Sequence, residues 1–298
     1  MAEHLLITGA SGFLGWKLAH IARRRFRVSG LCHAHNSAIP GVSLHQADLA
    51  QTHRIAPLLE RIKPDAVIHL AAMSSPNQCE QQAALSQALN VDATEAIGRW
   101  CQQHAVPLVF SSSSQVYDGE QAPYSEHSPC APRNRYGEQK LAAENALRRV
   151  CPQATVCRVP LMYGAAPPAA ASSLQPVLQA LHSGRPIKLF TDEIRSSLGA
   201  RAAAEGLLRM LEVPAELLIL AGDEALSRYE FGLRVAAYYG LDPAPLQPAK
   251  QADLPMAAGR PRDLTMRNAR ARSFGFRPLS VEDELRHADS LSAPGTAH

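Results

Sequence analysis

The sequence lacks long hydrophobic runs. Although 46% of its 298 residues are hydrophobic, no apolar stretch approaches the ~20 residues that a membrane-spanning helix needs. The earliest apolar run, at residues 4–8, leads directly into glycines rather than into a cleavage site. We therefore expect a cytoplasmic globular protein with no membrane partner, long enough to bury a sizeable core.

Cysteine patterns for metal binding or redox chemistry are also missing. The six cysteines are scattered, with no CxxC pair and no companion histidines at zinc-binding spacing. This distribution predicts reduced structural thiols and no metal site.

A strong net charge is lacking too, since the formal net charge is +3. Arg23, Arg24 and Arg25 form a small basic cluster, but no extended basic and aromatic stripe accompanies it. We interpret the cluster as a solvated helix end and expect no nucleic acid partner.

The first half of the chain does contain a regular alternation of short apolar runs with longer amphipathic stretches. Each run is short and apolar enough for a strand buried on both faces, and the segments between are long enough for crossover helices. The alternation predicts an α/β fold, a doubly wound parallel sheet of the Rossmann type with ligands at its carboxyl edge. The runs are HLLIT (4–8), RVSGLC (27–32), VSLH (42–45), AVIHL (66–70), PLVFS (107–111) and ATVCR (154–158).

Beyond about Pro160 the alternation breaks down, and PLMYGAAPPAAASS (160–173) is typical of an irregular crossover or lid. We expect residues 1–160 to form a dinucleotide-binding domain. Residues 161–298 would form a smaller mixed α/β substrate lobe, interleaved with the first domain. In that lobe, Ser227 and Glu230 form a capping box ahead of an apolar-periodic stretch, which predicts the start of a helix.

Three glycines at GxxGxxG spacing separate the first predicted strand from the first predicted helix. Gly9 permits a tight turn, Gly12 lets the backbone approach a pyrophosphate, and Gly15 lets the helix pack closely on the sheet. The P-loop pattern GxxxxGKS/T is absent, which disfavours triphosphate chemistry. The loop therefore predicts a dinucleotide site, with Gly9, Ser11, Gly12, Phe13, Leu14 and Gly15 as candidate residues.

The second predicted strand ends without the carboxylate that holds the adenosine ribose hydroxyls in many dinucleotide sites. The chain has CHAHN at 32–36 instead. This favours NADP(H), with NAD(H) as the alternative, and makes His33 a cofactor-binding candidate; His33 and His35 as ordinary surface histidines are the other interpretation. After the third run, Asp48 and Leu49 are candidates for the adenine site, with Asp48 as a helix cap equally open.

Tyr136 and Lys140 lie four residues apart at the start of a predicted helix and share one face of it. A lysine cation near a phenol favours the phenolate, so we expect the pKa of Tyr136 to fall from about 10 toward the working pH. The phenol could then exchange a proton with a carbonyl or alcohol oxygen. By itself this spacing is a weak signal. It gains weight from the serines at 111–114, which end the fifth predicted strand at the same sheet edge.

With these residues in view, the chain resembles the extended short-chain dehydrogenases/reductases that act on nucleotide sugars. Among them it is most similar to the dTDP-4-dehydrorhamnose reductase branch, by VYDG (116–119) followed by PYSE (123–126), by length and by RPRDLTMRNARARSFGFRP (260–278). The resemblance covers nearly the whole chain. Its motifs are TGASGFLG (8–15), HLAA (69–72), NVDAT (90–94), SSSSQVYDG (111–119), PYSEHSPCAPRNRYGEQK (123–140) and RVPLMYG (158–164).

The resemblance implies roles for matching residues. Ser113 falls on the catalytic Ser/Thr, Tyr136 on the general acid, and Lys140 on the residue that binds the nicotinamide ribose and tunes the tyrosine. Asn90 falls on the family's helix asparagine, a weaker candidate for a proton relay. Leu70, Ala71 and Ala72 would line the cofactor, and Ser114 and Arg195 would contact the substrate.

Departures from the family's pattern bear on the substrate. Dehydratases of the family carry Asp-Glu where this chain has Ser114-Gln115, which disfavours elimination of water. The reductase branch usually has Asp at the Ser114 position. DEIR (192–195) matches the family's DExR segment, but SSLGAR (196–201) lacks the proline and aspartate that usually follow.

These features lead to the hypothesis of a reductase that passes hydride from NAD(P)H to the keto carbon of a nucleotide-linked sugar. An epimerase that retains its NAD is one alternative. Another is a non-catalytic, NADP-binding regulatory subunit similar to the methionine adenosyltransferase beta subunit, because fold does not fix function. The oligomeric state stays open, a homodimer included.

Overall fold

A computed structural model describes residues 3–34, 38–167, 170, 172–213, 215–254 and 256–292, so His35 lies outside the described residues. The strands are β1 (His4–Thr8), β2 (Arg27–Cys32), β3 (Val42–Gln46), β4 (Ala66–His69), β5 (Leu108–Ser113), β6 (Thr155–Val159), β7 (Met162–Tyr163), β8 (Ile187–Phe190), β9 (Ile194–Arg195), β10 (Leu198–Gly199), β11 (Leu217–Ile219), β12 (Leu226–Ser227), β13 (Leu246–Ala249) and β14 (Asp263–Leu264).

The α-helices are α1 (Phe13–Ala22), α2 (Ile55–Ile62), α3 (Pro76–Gln81), α4 (Ala83–Gln87), α5 (Ala93–Gln103), α6 (Arg135–Val150), α7 (Gln175–Ser183), α8 (Ala200–Arg209), α9 (Arg228–Tyr239), α10 (Ala269–Ser273) and α11 (Val281–Ser292).

Seven strands form one parallel sheet in the order β11-β6-β5-β4-β1-β2-β3. The order reverses between β1 and β4, which is the topological switch point at which α/β sheets bind ligands. The predicted doubly wound sheet is therefore confirmed. One detail was wrong: β3 is not buried on both faces, because it is the edge strand and all five of its residues are half-buried or exposed.

The sheet is covered on both faces because its strands direct alternate apolar side chains to opposite sides. On β1, Ile7 packs in a core that includes Leu18 of α1 and Leu207 of α8. The neighbouring Leu6 packs in a second core with Ile97 of α5 and Leu147 of α6. These two layers hold the sheet rigid, so that the loops at its carboxyl edge have fixed starting points.

Much of the second half of the chain forms a smaller lobe with its own core, in which Val177 and Leu189 pack against Phe231 and Val235. The lobe contains the sheet β12-β9-β14 and the pair β13-β8. The predicted capping box at Ser227 is confirmed, and α9 begins at the next residue. The boundary at residue 160 stays a prediction; β11 and α8 come from beyond it yet belong to the main sheet and its cover.

In the described part of the chain, no helix combines the length and apolarity required to cross a membrane. All six cysteines lie in this part and are free thiols, five of them buried.

Candidate functional site

A cavity of about 890 Å³ runs along the carboxyl edge of the sheet and under the second lobe. Its lining includes residues that sequence reasoning proposed from seven separate segments of the chain. Every proposed site residue except Asn90 lies on its wall: Gly9, Ser11, Gly12, Phe13, Leu14, Gly15, His33, Asp48, Leu49, Leu70, Ala71, Ala72, Ser113, Ser114, Tyr136, Lys140 and Arg195.

The glycine loop between β1 and α1 has the close backbone contacts that its spacing predicts. Gly9 has a φ of +68°, a conformation that favours glycine. A Cβ on Gly15 would lie 2.1 Å from the Gly9 carbonyl oxygen, so only glycine fits between helix and loop. Gly12 caps α1 with extended backbone and no side chain, leaving the first N–H groups of α1 to a ligand. Free N–H groups at a helix N-terminus are the arrangement that can hold a phosphate group.

The loop after β4 is held against the phosphate loop by one threonine. The Thr8 hydroxyl accepts hydrogen bonds from the backbone N–H groups of Leu70 and Ala71, both at 3.0 Å. It also bonds the ring of His69 at 2.7 Å. Burial lowers the pKa of His69 to about 3, so this ring is neutral. Thr8 and His69 thus fix the backbone of the HLAA segment as a cavity wall.

The end of the cavity at β2 and β3 contains His33 and Asp48. Asp48 accepts from the backbone N–H of Ala50 at 3.0 Å and from the Gln51 amide at 3.0 Å, so it stabilises its own turn. The Gln51 hydrogen bond is the main reason that the pKa of Asp48 is lowered. The helix-cap interpretation of Asp48 was wrong, because the short helix that follows, Thr52–Arg54, has Gln51 as its N-cap and no side-chain cap. Asp48 stabilises its own turn and lies on the cavity wall.

Tyr136 and Lys140 share one face of α6, as the spacing predicts. Asn134 caps this helix by accepting from the backbone N–H of Gly137 at 2.9 Å. The Lys140 Nζ donates to the Ser111 carbonyl at 2.8 Å. The same Nζ lies 5.9 Å from the centre of the Tyr136 ring. The lysine thus bridges the end of β5 and the phenol.

The expected fall in the pKa of Tyr136 is wrong for the chain by itself. Burial raises this pKa to about 12, and the Ser113 hydroxyl offsets only part of the rise. Burial also lowers the pKa of Lys140 to about 8, opposed by Glu144. Desolvation disfavours both charged forms and is the largest cause of each shift. The phenol is therefore protonated at neutral pH.

Ser113 ends β5 beside the phenol, and its hydroxyl accepts from the backbone N–H of Gln115 at 3.2 Å. Ser114 follows it on the cavity wall. Ser112, within β5, donates instead to Glu144 of α6 at 2.5 Å. Glu144 is paired with Arg158 at 2.6 Å, and both side chains are almost fully buried. This ion pair joins α6 to β6 beneath the site and fixes the helix that carries Tyr136.

Asn90 lies in a π-helical turn, Ala88–Asp92, between α4 and α5. Its side chain accepts from the backbone N–H of Met73 at 2.9 Å and donates to Gln139 at 2.9 Å. Asn90 does not line the cavity, although Met73 does. A relay role for Asn90 stays a prediction; its observed contacts position Met73.

The wall from the second lobe is charged. Glu193, Arg195 and Arg260 line it. Arg195 is buried and donates to the carbonyls of Pro261 and Arg262, at 2.9 and 3.0 Å, so most of its donors are already used. Within the described residues, the buried Nε of Arg260 has no hydrogen-bond partner. Arg260 therefore has a guanidinium donor that no protein group among the described residues uses.

A family model described as the RmlD substrate binding domain matches residues 3–289. The chain belongs to this family.

Curated relatives of this RmlD-family chain include proteins of two kinds. A probable low-salt glycan biosynthesis reductase, Agl14 of Haloferax volcanii, is 30% identical over 95% of the chain and 96% of its own length. The methionine adenosyltransferase 2 subunit beta of Danio rerio is 24% identical over 94% of the chain and 86% of its own length.

A solved structure of dTDP-4-dehydrorhamnose reductase from Bacillus anthracis, in complex with NADP, has the same fold. Its TM-score is 0.85 at 20% identity, with 98% of this chain and all of that chain covered.

Two features of this RmlD-family site were missed by sequence reasoning. Arg260 was noted only within the segment 260–278 that suggests the family, and Glu193 only within DEIR. The available signal was the high density of arginine in that segment. The position of Arg260 on the cavity wall depends on how the second lobe folds over the sheet edge.

Proposed function

We propose that this chain is an NAD(P)H-dependent reductase of a nucleotide-linked keto-sugar. The observation that carries the proposal is the convergence of Ser113, Tyr136 and Lys140 on the same cavity wall as the phosphate loop. A dinucleotide with its pyrophosphate at Gly12 would extend along this edge toward the phenol. The resemblance of the sequence to the dTDP-4-dehydrorhamnose reductase branch supports a sugar nucleotide as the second ligand.

The nicotinamide cofactor supplies the hydride when bound. The residues of this chain supply position and a proton. Ser113 orients the substrate carbonyl, and the protonated Tyr136 phenol donates its proton to the oxygen as negative charge develops there. Lys140 stabilises the resulting phenolate, since it is held near the ring by the Ser111 carbonyl. A phenol with a raised pKa suits reduction, because it begins the reaction protonated.

NADP(H) is the favoured cofactor in this proposal. In the described part of the chain, the end of β2 places Cys32 and His33 on the wall rather than a carboxylate. Asp48, the carboxylate at this end of the cavity, follows β3 and accepts hydrogen bonds within its own turn. His33 is exposed there and offers a ring nitrogen to a ribose phosphate. NAD(H) is the alternative. The dissociation constants of NADPH and NADH, measured on the same protein, would distinguish the two cofactors.

The test is Tyr136→Phe, assayed with NADPH and dTDP-4-dehydrorhamnose. Loss of the general acid should lower kcat by about 10²- to 10⁴-fold while the NADPH dissociation constant stays within about twofold. Tyr229→Phe, in the second-lobe core, is the matched control and should retain wild-type turnover. Full activity of Tyr136→Phe would exclude the mechanism.

A second candidate is a regulatory subunit that binds NADP without turnover. The similarity to a methionine adenosyltransferase 2 subunit beta over 94% of the chain favours it. Purification of the chain with a larger catalytic partner, together with no oxidation of NADPH across a panel of nucleotide keto-sugars, would select this candidate. Stoichiometric oxidation of NADPH would select the reductase.

A further inference from the structure

Gln115 occupies a position beside the catalytic serine that the mechanism above does not use. It lies in the short helical turn Ser114–Val116 that follows β5, and it lines the cavity. Its backbone N–H donates to the Ser113 hydroxyl at 3.2 Å. Its side chain is therefore anchored next to the group that orients the substrate carbonyl.

The orientation of the Gln115 amide follows from its neighbour Asn134. The Asn134 Oδ1 accepts from the backbone N–H of Gly137 at 2.9 Å, which identifies that atom as oxygen. The other terminal atom, Nδ2, donates to the Gly259 carbonyl at 2.8 Å. The same Nδ2 lies 2.7 Å from the Gln115 amide, so the facing Gln115 atom must be the acceptor Oε1.

The direction of these hydrogen bonds is fixed by two backbone groups. The Gly137 N–H can only donate, and the Gly259 carbonyl can only accept. This direction leaves the Gln115 Nε2, with two hydrogens, on the branch of the amide away from Asn134. Within the described residues, no hydrogen bond to a protein group uses these hydrogens, and the Gln115 side chain is only half-buried on the cavity wall. A structural role needs only the oxygen end of this amide. The donor end is available to a ligand.

We infer that Gln115 is a specificity-determining residue, whose Nε2 donates to an acceptor oxygen of the sugar next to the reacting carbonyl. The inference rests on the proposed function and refines it. A neutral amide binds a hydroxyl or ether oxygen at any working pH, and it cannot abstract a proton from the neighbouring carbon. Asn134 is the positioning residue that sets the direction of the donor.

The first experiment compares Gln115→Glu and Gln115→Met with the wild-type chain, using NADPH and dTDP-4-dehydrorhamnose. Gln115→Met removes the donor, so KM for the sugar nucleotide should rise about 10-fold with kcat within about threefold. The NADPH dissociation constant and the melting temperature should stay near the wild-type values. Gln102→Glu, exposed on α5, is the control for added charge.

Gln115→Glu gives a readout that a purely structural role would not produce. The carboxylate keeps an oxygen for Asn134 Nδ2 but has no hydrogen for the sugar, so KM should rise about 10-fold at pH 8. At pH 5, protonation of part of the carboxyl population restores a donor, and KM should fall back toward the wild-type value measured at the same pH. Wild-type KM values in both variants at both pH values would overturn the inference while the proposed function stands.

Asn134→Ser tests the positioning step, because serine also caps helices but cannot reach Gln115. It should raise KM about threefold in the wild-type background and not at all in the Gln115→Met background. Equal effects in both backgrounds would show that Asn134 does not act through Gln115 and would overturn the orientation argument. No turnover by the wild-type chain with any keto-sugar nucleotide would instead reject the proposed function, and the inference with it.

Discussion

The two sides of the cavity are built by different means. On the phosphate-loop side, the candidate ligand-binding groups are mainly backbone N–H groups around Gly12 and the loop that Thr8 holds in place. On the second-lobe side, they are charged side chains, Glu193, Arg195 and Arg260. The first side depends on residues close in sequence to a strand end. The second depends on packing between segments about 65 residues apart, as in the hydrogen bonds from Arg195 to Pro261 and Arg262.

This difference teaches how selectivity is divided in the proposed reductase. A backbone cradle recognises a pyrophosphate that every dinucleotide carries, so it fixes the cofactor class. Charged and amide side chains on the cavity wall can be substituted without disturbing the sheet. In the proposed reductase, they would therefore determine which sugar nucleotide binds. Tyr136 and Lys140 lie where the two sides meet.

The largest expected effect comes from closing the backbone cradle with Gly15→Ala. The added methyl would lie 2.1 Å from the Gly9 carbonyl oxygen, so the loop has to move. We expect the NADPH dissociation constant to rise about 100-fold, at an overpacking cost of about 1–3 kcal/mol in stability. Titration calorimetry and thermal unfolding measure the two effects.

Gly98→Ala is the matched control, since its methyl would meet the Leu147 side chain in the core, away from the cavity. It should lower stability and leave NADPH affinity unchanged. NADPH affinity of Gly15→Ala equal to that of the wild type would contradict the assignment of the phosphate-loop side.

A second prediction concerns Lys140, at the junction of the two sides. Burial lowers its pKa to about 8, so between pH 8 and the usual lysine value near 10.5 the unfolded chain binds the proton that the folded chain has lost. Stability should therefore rise with pH in this window. From pH 7.5 to 9.5, the free energy of unfolding of the wild type should gain about 2 kcal/mol relative to Lys140→Met.

Denaturant unfolding of both chains at the two pH values tests this prediction. The difference between the chains removes the contribution of other titrating groups. A pH-independent difference would show that Lys140 stays charged in the folded chain.

The smallest of these effects is expected from the second-lobe side, with Arg260→Gln. Removal of a guanidinium that has an unused donor should raise KM for the sugar nucleotide about 10-fold and leave the NADPH dissociation constant unchanged. Arg195→Gln is the informative partner, because its hydrogen bonds to backbone carbonyls predict loss of stability instead. If the NADPH dissociation constant of Arg260→Gln rose as much as KM for the sugar nucleotide, the distinction between the two sides would be lost.

Much of the fold followed from the sequence because its signals are local. All of the first six strands match the apolar runs to within two residues at each end, and the helix of Tyr136 and Lys140 begins where the motif predicts. The edge strand β3 was misjudged as buried, since a run of apolar residues does not show whether a neighbour covers it.

The sequence by itself determined where the first six strands lie along the chain, the glycine loop and the shared face of Tyr136 and Lys140, because each depends on local spacing. Only the tertiary structure decided the protonation of that pair. Burial raises one pKa and lowers the other, against the direction that their proximity predicts. It also decided the direction of the Gln115 amide, which depends on Asn134 and on Gly259, 125 residues further along the chain. Desolvation of a side chain and the direction of its hydrogen bonds depend on the residues packed around it. In the folded protein, those residues come from segments far apart in the sequence.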